Sequence, residues 1–279
     1  MKIIELKDVK KHPELLEPND LDIKVIGDLT NSDIEYFKGV YANVVDASEA
    51  NNVAVNVDLK SFKGIKHLYI PNNVPILRDF AFSFCEVLET VYVSEGIKTI
   101  GEQAFCYSNQ LKRIDVDEKN ENFSSLDGVL YNKDKTELIR CPEGIYDKFT
   151  VPEGVERIAE HAFYGCNGLK NIYLPKSLKE IGKYAFQQCE GLLSIEIPNN
   201  VEIIRESTFF GCTNLADIKL PASVKEVHYN AFFGCSSLLT INLPKNLKVF
   251  ETAFERCPNI ASFNIEGNVG EYFYSSNDY

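Results

Sequence analysis

The chain repeats itself with a period near 23 residues. Ala-Phe recurs at Ala81-Phe82, Ala104-Phe105, Ala162-Phe163, Ala185-Phe186, Ala231-Phe232 and Ala253-Phe254, with Thr208-Phe209 as a variant, at successive spacings of 23, 58, 23, 23, 23 and 22. Four residues after the first member of the pair stands Cys85, Cys166, Cys189, Cys212, Cys235 or Cys257, and Ser108 takes that slot once. A Leu or Ile follows, then an alternating triplet such as Val91-Tyr92-Val93 or Ile195-Glu196-Ile197, then Pro at positions such as Pro175 and Pro198. Apolar-x-apolar has the period of a strand with one buried face, and a Pro directly after it ends the strand. Ala-Phe-x-x-Cys predicts one turn of a short helix or 3-10 segment. So short a unit encloses no core alone, whereas stacked units cover one another, with strands about 4.8 Å apart.

The gap of 58 residues holds an irregular unit, 117–152. Within it, residues 129–131 and 138–141 are predicted strands joined by a polar turn through 132–135, and Cys141-Pro142 matches the Leu-Pro slot of the other repeats. Upstream, 23–29 reads as a strand, Thr30 or Asn31 as the cap of a helix over 32–37, and 44–47 as a first repeat strand. A stack needs its open ends covered. Residues 1–50 therefore read as an N-terminal cap region, 51–266 as the repeats, and 267–279 as a C-terminal cap or tail, with a closing strand at 271–274.

The unit Leu-x-x-Ile-x-Leu-Pro-x-x-(Val/Leu)-x-x-Ile-x-x-x-Ala-Phe-x-x-Cys, clearest from Leu169 to Cys189 and from Leu192 to Cys212, resembles the BspA-like leucine-rich repeats. Residues 123–142 are similar to a spacer unit of that family, and Gly27 through Ser48 to the cap of its bacterial members. The resemblance implies an α/β fold: a right-handed leucine-rich-repeat solenoid, a curved horseshoe with parallel strands on the concave face and short helical or 3-10 segments opposite. It also implies a cell-surface or secreted setting and a role in adhesion or protein binding.

Composition narrows the partners. Lys plus Arg is 29 against 41 for Asp plus Glu, a formal net charge of −12. Nucleic-acid affinity comes largely from basic residues neutralising phosphates, so no nucleic-acid partner is expected, and an anionic membrane surface is disfavoured on the same ground. No run approaches the roughly 18 apolar residues of a spanning helix, so membrane insertion is not expected. Charges interrupt the apolar residues from Met1 to Asp8, and no signal-peptide core is visible there.

Eight cysteines invite a metal or disulfide. No Cys-x(2–4)-Cys pair is present, and the in-register cysteines read as a buried ladder whose thiols donate weakly to backbone at each bend. Cys141 reads as core and Cys106 as more exposed. The histidines His12, His67, His161 and His228 have no ligand spacing. Carboxylates such as Glu153, Glu156, Glu160, Glu202 and Glu206 read as a solvated face. No catalytic residue, metal or cofactor is expected.

What remains is the strand face. The middle residue of each triplet points away from the core, which makes a column of Tyr69, Tyr92, Asp115, Arg140, Thr150, Tyr173, Glu196, Lys219, Asn242 and Asn264. A flanking column two residues earlier includes His67, Thr90, Arg113 and Asn171. The candidate binding residues are His67, Tyr69, Thr90, Tyr92, Arg113, Asp115, Arg140, Asn171, Tyr173, Glu196, Lys219 and Asn242. They point first to a non-catalytic module that binds a protein or glycan, and the same columns suit self-association. A spacer solenoid without a specific ligand is the alternative, and an enzyme using Asp127, Asp134 and Glu137 stands behind both.

Overall fold

The computed structural model describes residues 64–265 together with the strand segments 2–5, 21–28, 42–47, 50–51 and 273–274. It divides into two compact units, the first formed by Met1–Asp134 with Pro142–Gly144 and the second by Lys135–Cys141 with Ile145–Tyr279.

In the first unit the strands Lys2–Glu5, Leu21–Asp28, Ala42–Asp46, Ile65–Tyr69, Thr90–Val93 and Arg113–Val116 lie side by side, each parallel to the next. The pairing keeps the repeat in register: Leu68 lies beside Val91 and Val91 beside Ile114. Residues 44–46 thus belong to a repeat strand, as predicted, and the predicted strand at 23–29 is observed as Leu21–Asp28. The helix predicted at 32–37 lies outside the described residues. The hairpin Phe123–Leu126 with Val129–Asn132 is antiparallel. It closes through Asp127 and Gly128, both at positive φ, as a two-residue hairpin turn requires. Its Gly128 carbonyl accepts from the Ile114 amide at 2.8 Å, and Ser125 Oγ accepts from the Val116 amide at 3.0 Å. A Cβ on Gly128 would stand 3.0 Å from the Arg113 side chain, so the hairpin meets the ladder only because that residue is glycine. Asn120 anchors the approach: its Nδ2 donates to the Ser94 and Ile97 carbonyls, and its Oδ1 accepts from the Asn122 and Phe123 amides.

In the second unit Asp147–Thr150, Leu169–Tyr173, Ser194–Glu196 and Asp217–Lys219 form one parallel ladder, and Thr240–Leu243 pairs with Ser262–Ile265. Shorter strands form further parallel ladders: Glu137–Arg140, Arg157–Ile158 and Glu180–Ile181, then Ile203–Ile204, Glu226–Val227, Lys248–Phe250 and Phe273–Tyr274. The last contains part of the predicted closing strand; residues 271–272 lie outside the described residues. Inside, Phe163, Phe186, Phe209, Phe232 and Phe254 stack ring on ring at 4.9–5.3 Å, close to the spacing of neighbouring strands.

One expectation about the repeat is corrected. Among the described residues no helix or 3-10 segment occurs, and Ala-Phe-x-x-Cys is a run of turns. Over the described residues the fold is a parallel-strand solenoid of stacked coils, without a helical layer. The backbone explains why. The residue before Ala and the second x are left-handed in coil after coil, as at His161 and Gly165, Ser207 and Gly211, or Asn230 and Gly234. Two such residues four apart break any helix. Amides then alternate in direction: Ala162, Tyr164 and Cys166 donate three residues back, whereas His161, Phe163 and Gly165 donate to Lys183, Ala185 and Gln187 of the next coil.

The cysteine ladder is as predicted: Cys189, Cys212, Cys235 and Cys257 donate to the carbonyls of Phe163, Phe186, Phe209 and Phe232 at 2.9–3.2 Å. Ser108 does the same to Phe82 at 2.7 Å, so a hydroxyl serves where a thiol usually stands. All eight cysteines are thiols. Cys106, expected to be more exposed, is buried. Cys141 is core, but not in the Leu-Pro slot: its amide donates to Ala162 and its carbonyl accepts from Cys166 Sγ, the bonds that Phe163 makes to Ala185 and Cys189 one coil on. It therefore replaces the Phe of an Ala-Phe pair, and Phe149 packs against Phe163 instead, 5.9 Å between centroids.

Candidate binding face

In the first unit Tyr69 and Tyr92 are paired in register and their rings stack at 3.8 Å and 5°. Parallel strands one coil apart present the two Cβ atoms in the same direction, so identical side chains at one register position meet face to face. Burial pushes the Tyr69 phenol up to about 12, aided by its hydrogen bond to Tyr92 and by the Asp46 and Asp115 carboxylates. Asp115 follows Tyr92 in register and is gripped by Arg113, with Nε to Oδ2 at 3.0 Å and Nη2 to Oδ1 at 2.7 Å. That bond, above all, raises the Arg113 guanidinium further. Where these strands turn out of the sheet, Tyr69, Asn72, Tyr92, Ser94, Asp115 and Asp117 line a surface recess of about 180 Å³.

The second unit repeats the geometry with different chemistry. Thr150 lies beside Tyr173, and Glu196 beside Lys219. Tyr173 is 57% exposed, and Glu196 and Lys219 form an exposed ion pair at 3.5 Å. Tyr173, Lys176, Glu196, Asn199 and Asn200 line a recess of about 340 Å³ at the corresponding strand exit. Asn171 lies beside Ser194 in the flanking column, and Asn242 beside Asn264 in the middle one.

Two predicted site residues are misplaced. Arg140 is 2% exposed, and its guanidinium donates to the His161 and Tyr164 carbonyls. Its strand pairs with Arg157–Ile158, so it belongs to a different ladder from the Tyr column. Thr90 does lie between His67 and Arg113 in register, but it is buried. His67, Tyr69, Tyr92, Arg113 and Asp115 are brought together, and Tyr173, Glu196 and Lys219 form a second set. Of the carboxylates considered for catalysis, Asp127 and Asp134 are exposed turn residues and Glu137 pairs with Arg157.

The sequence reading missed the rim residues Asn72, Ser94 and Asp117, and Lys176, Asn199 and Asn200. Their signal is a polar residue one to three positions after each triplet. It also missed the exposed stack of Phe84 on Tyr107, at 4.7 Å. Both sit at the left-handed position where later coils carry Gly165, Gly211 and Gly234.

Among proteins of known structure, a leucine rich cell surface protein of Faecalibacterium prausnitzii A2-165 is similar at 27% identity and a TM-score of 0.65, over 81% of this chain and 64% of that one. The pneumococcal vaccine antigen PcpA, at 24% identity and a TM-score of 0.56, is covered over 62% of its length and 89% of this chain. A leucine-rich repeat protein of Eubacterium ventriosum, at 17% identity and a TM-score of 0.52 over 96% of this chain and 88% of that one, shares the fold. This chain thus spans less than two thirds of the first two. No curated protein matches it. The family of the BspA type Leucine rich repeat region, in six copies, matches residues 50–147 and 143–261. With the repeat in register from strand to strand, the chain belongs to the BspA-type leucine-rich-repeat family.

Proposed function

We propose that the chain is a non-catalytic interaction module and that the strand face of its first unit docks a protein. The Tyr69–Tyr92 stack carries this reading. Tyr and Arg dominate the energetic centres of protein interfaces, and two rings that already hold each other lose little freedom on binding. Arg113 and Asp115 beside them supply a fixed polar contact. The adjoining recess, about 180 Å³, is below the roughly 300–1,000 Å³ of small-molecule sites, which favours a macromolecular surface as its occupant. A cell-surface setting, the one named for the F. prausnitzii protein, suits such a role.

The test is to screen cell-surface and extracellular proteins on the immobilised chain, identify a binder and measure its affinity. Tyr69→Ala with Tyr92→Ala is expected to weaken it by roughly tenfold or more, the loss of a central aromatic anchor, with the melting temperature nearly unchanged. Unaltered affinity would remove the pair from the site.

A further inference from the structure

The recess of the second unit differs from that of the first in size and in chemistry. At about 340 Å³ it reaches the lower end of the range of small-ligand sites, about 300–1,000 Å³. We propose that it binds a neutral pyranose ring, as a free sugar or as a residue of a glycan. A sugar ring offers an apolar C–H face and a rim of hydroxyls, each both donor and acceptor. Its complement is an aromatic face flanked by amides and a carboxylate. Tyr173 supplies the ring: no other ring stacks on it among the described residues, whereas Tyr69 and Tyr92 cover one another. Glu196 supplies acceptors, and Asn199 both donors and an acceptor. Asn200 holds the rim in place by donating from Nδ2 to the Lys176 carbonyl at 2.8 Å. The Glu196–Lys219 pair is exposed on both sides, and exposed pairs contribute little, so Glu196 exchanges Lys219 for a hydroxyl at small cost.

Other ligand classes fit less well. Lys176 and Glu196 carry opposite charges into the same recess, which leaves it without the surplus that selects a phosphate or uronate. Of its apolar lining, Ile172 and Ile197 are buried and Leu174 and Pro198 half-buried, a shallow C–H surface that suits the face of a ring more than the deep pocket an apolar peptide side chain needs as an anchor.

The experiment is a titration of the isotope-labelled full chain with free neutral hexoses, N-acetylhexosamines and short oligosaccharides of each, followed through backbone amide shifts. Shifts centred on Tyr173, Lys176, Glu196, Asn199 and Asn200 are expected; a response to free rings, or to oligosaccharides alone, sustains the proposal and tells which form is taken. Tyr173→Ala should weaken binding about tenfold, equivalent to about 1.4 kcal/mol, and Glu196→Gln should weaken it too, both with an unchanged melting temperature. Tyr69→Ala with Tyr92→Ala should leave sugar affinity unchanged, which separates this site from the protein-docking face. The proposal is overturned if no sugar of the panel moves these amides, or if folded Tyr173→Ala keeps full affinity.

Discussion

The same register positions read differently in the two units. Outside the first lie Tyr69, Tyr92 and Asp115, in the second Tyr173, Glu196 and Lys219. One column further out, Lys66, Glu89 and Lys112 follow one another in the first unit, each linked to the next by a backbone hydrogen bond and the last two by an ion pair at 2.8 Å. In the second unit that column starts at Lys170 and runs on through Leu193, Ala216, Leu239 and Ala261, with Leu193 45% and Leu239 55% exposed. The backbone ladder is common to both, because every coil donates its amides to a neighbour. What faces solvent is left to the side chains, and each unit has used that freedom separately. The Phe interior differs as well: five rings in sequence in the second unit, against the pair Phe82 and Phe105 at 5.5 Å in the first.

The interior contrast predicts the largest effect. Phe186 lies between Phe163 and Phe209, so Phe186→Ala should cost about 3–5 kcal/mol, read as a fall in denaturation midpoint. Phe105→Ala should cost less, and equal losses would mean that the longer stack adds nothing. Asn120→Leu comes next. It strips two carbonyls and two amides of their partner; the amides, on the exposed Asn122 and half-buried Phe123, regain water, which leaves about 1–3 kcal/mol for a carbonyl left buried and dry. Mapped proteolysis should show the hairpin at 123–132 opening first; an intact hairpin would discount the anchor.

Alkaline pH loosens the second unit more gently. Burial raises the thiols of Cys141, Cys212, Cys235 and Cys257, all in the second unit. Unfolded thiols ionise from about pH 8.5, while the folded ones keep their protons. The folded state then binds more protons than the unfolded, so stability falls as pH rises. Tyr69 in the first unit has the same sign, but its window runs from about 10, the usual phenol value, to about 12. Between about pH 8.5 and 10, pulse proteolysis should therefore find cleavage within the second unit rising with pH. Cleavage there that stays constant across this window would contradict the thiol assignment. The smallest effect belongs to Lys219→Ala, which removes an exposed pair and should change stability by about 0–1 kcal/mol in a denaturant melt.

Much of this was legible in the repeat. Strand positions, the inward Phe and Cys ladders and the outward Tyr pair all follow from residues recurring in phase, since a period of 23 makes equivalent residues neighbours. The irregular unit was harder to read. Arg140 looks like the middle residue of a triplet and Cys141 like the Leu of a Leu-Pro slot, yet they hold the Ala-Phe position, because the spacing around them departs from the period and only the hydrogen bonds to Ala162 and Cys166 reveal the register. The strand Phe123–Leu126 had a signal, Asp127-Gly128, the dipeptide of a tight hairpin.

By itself the sequence determined that coils stack and which side chains line their interior, because alternation and period are local properties of the chain. The tertiary structure alone decided that the bends are turns rather than helices, since left-handed residues send alternate amides to the next coil. It also decided which polar residues from different coils gather around Tyr92 and Tyr173, because the strand exits that form those recesses exist only once neighbouring coils are in place.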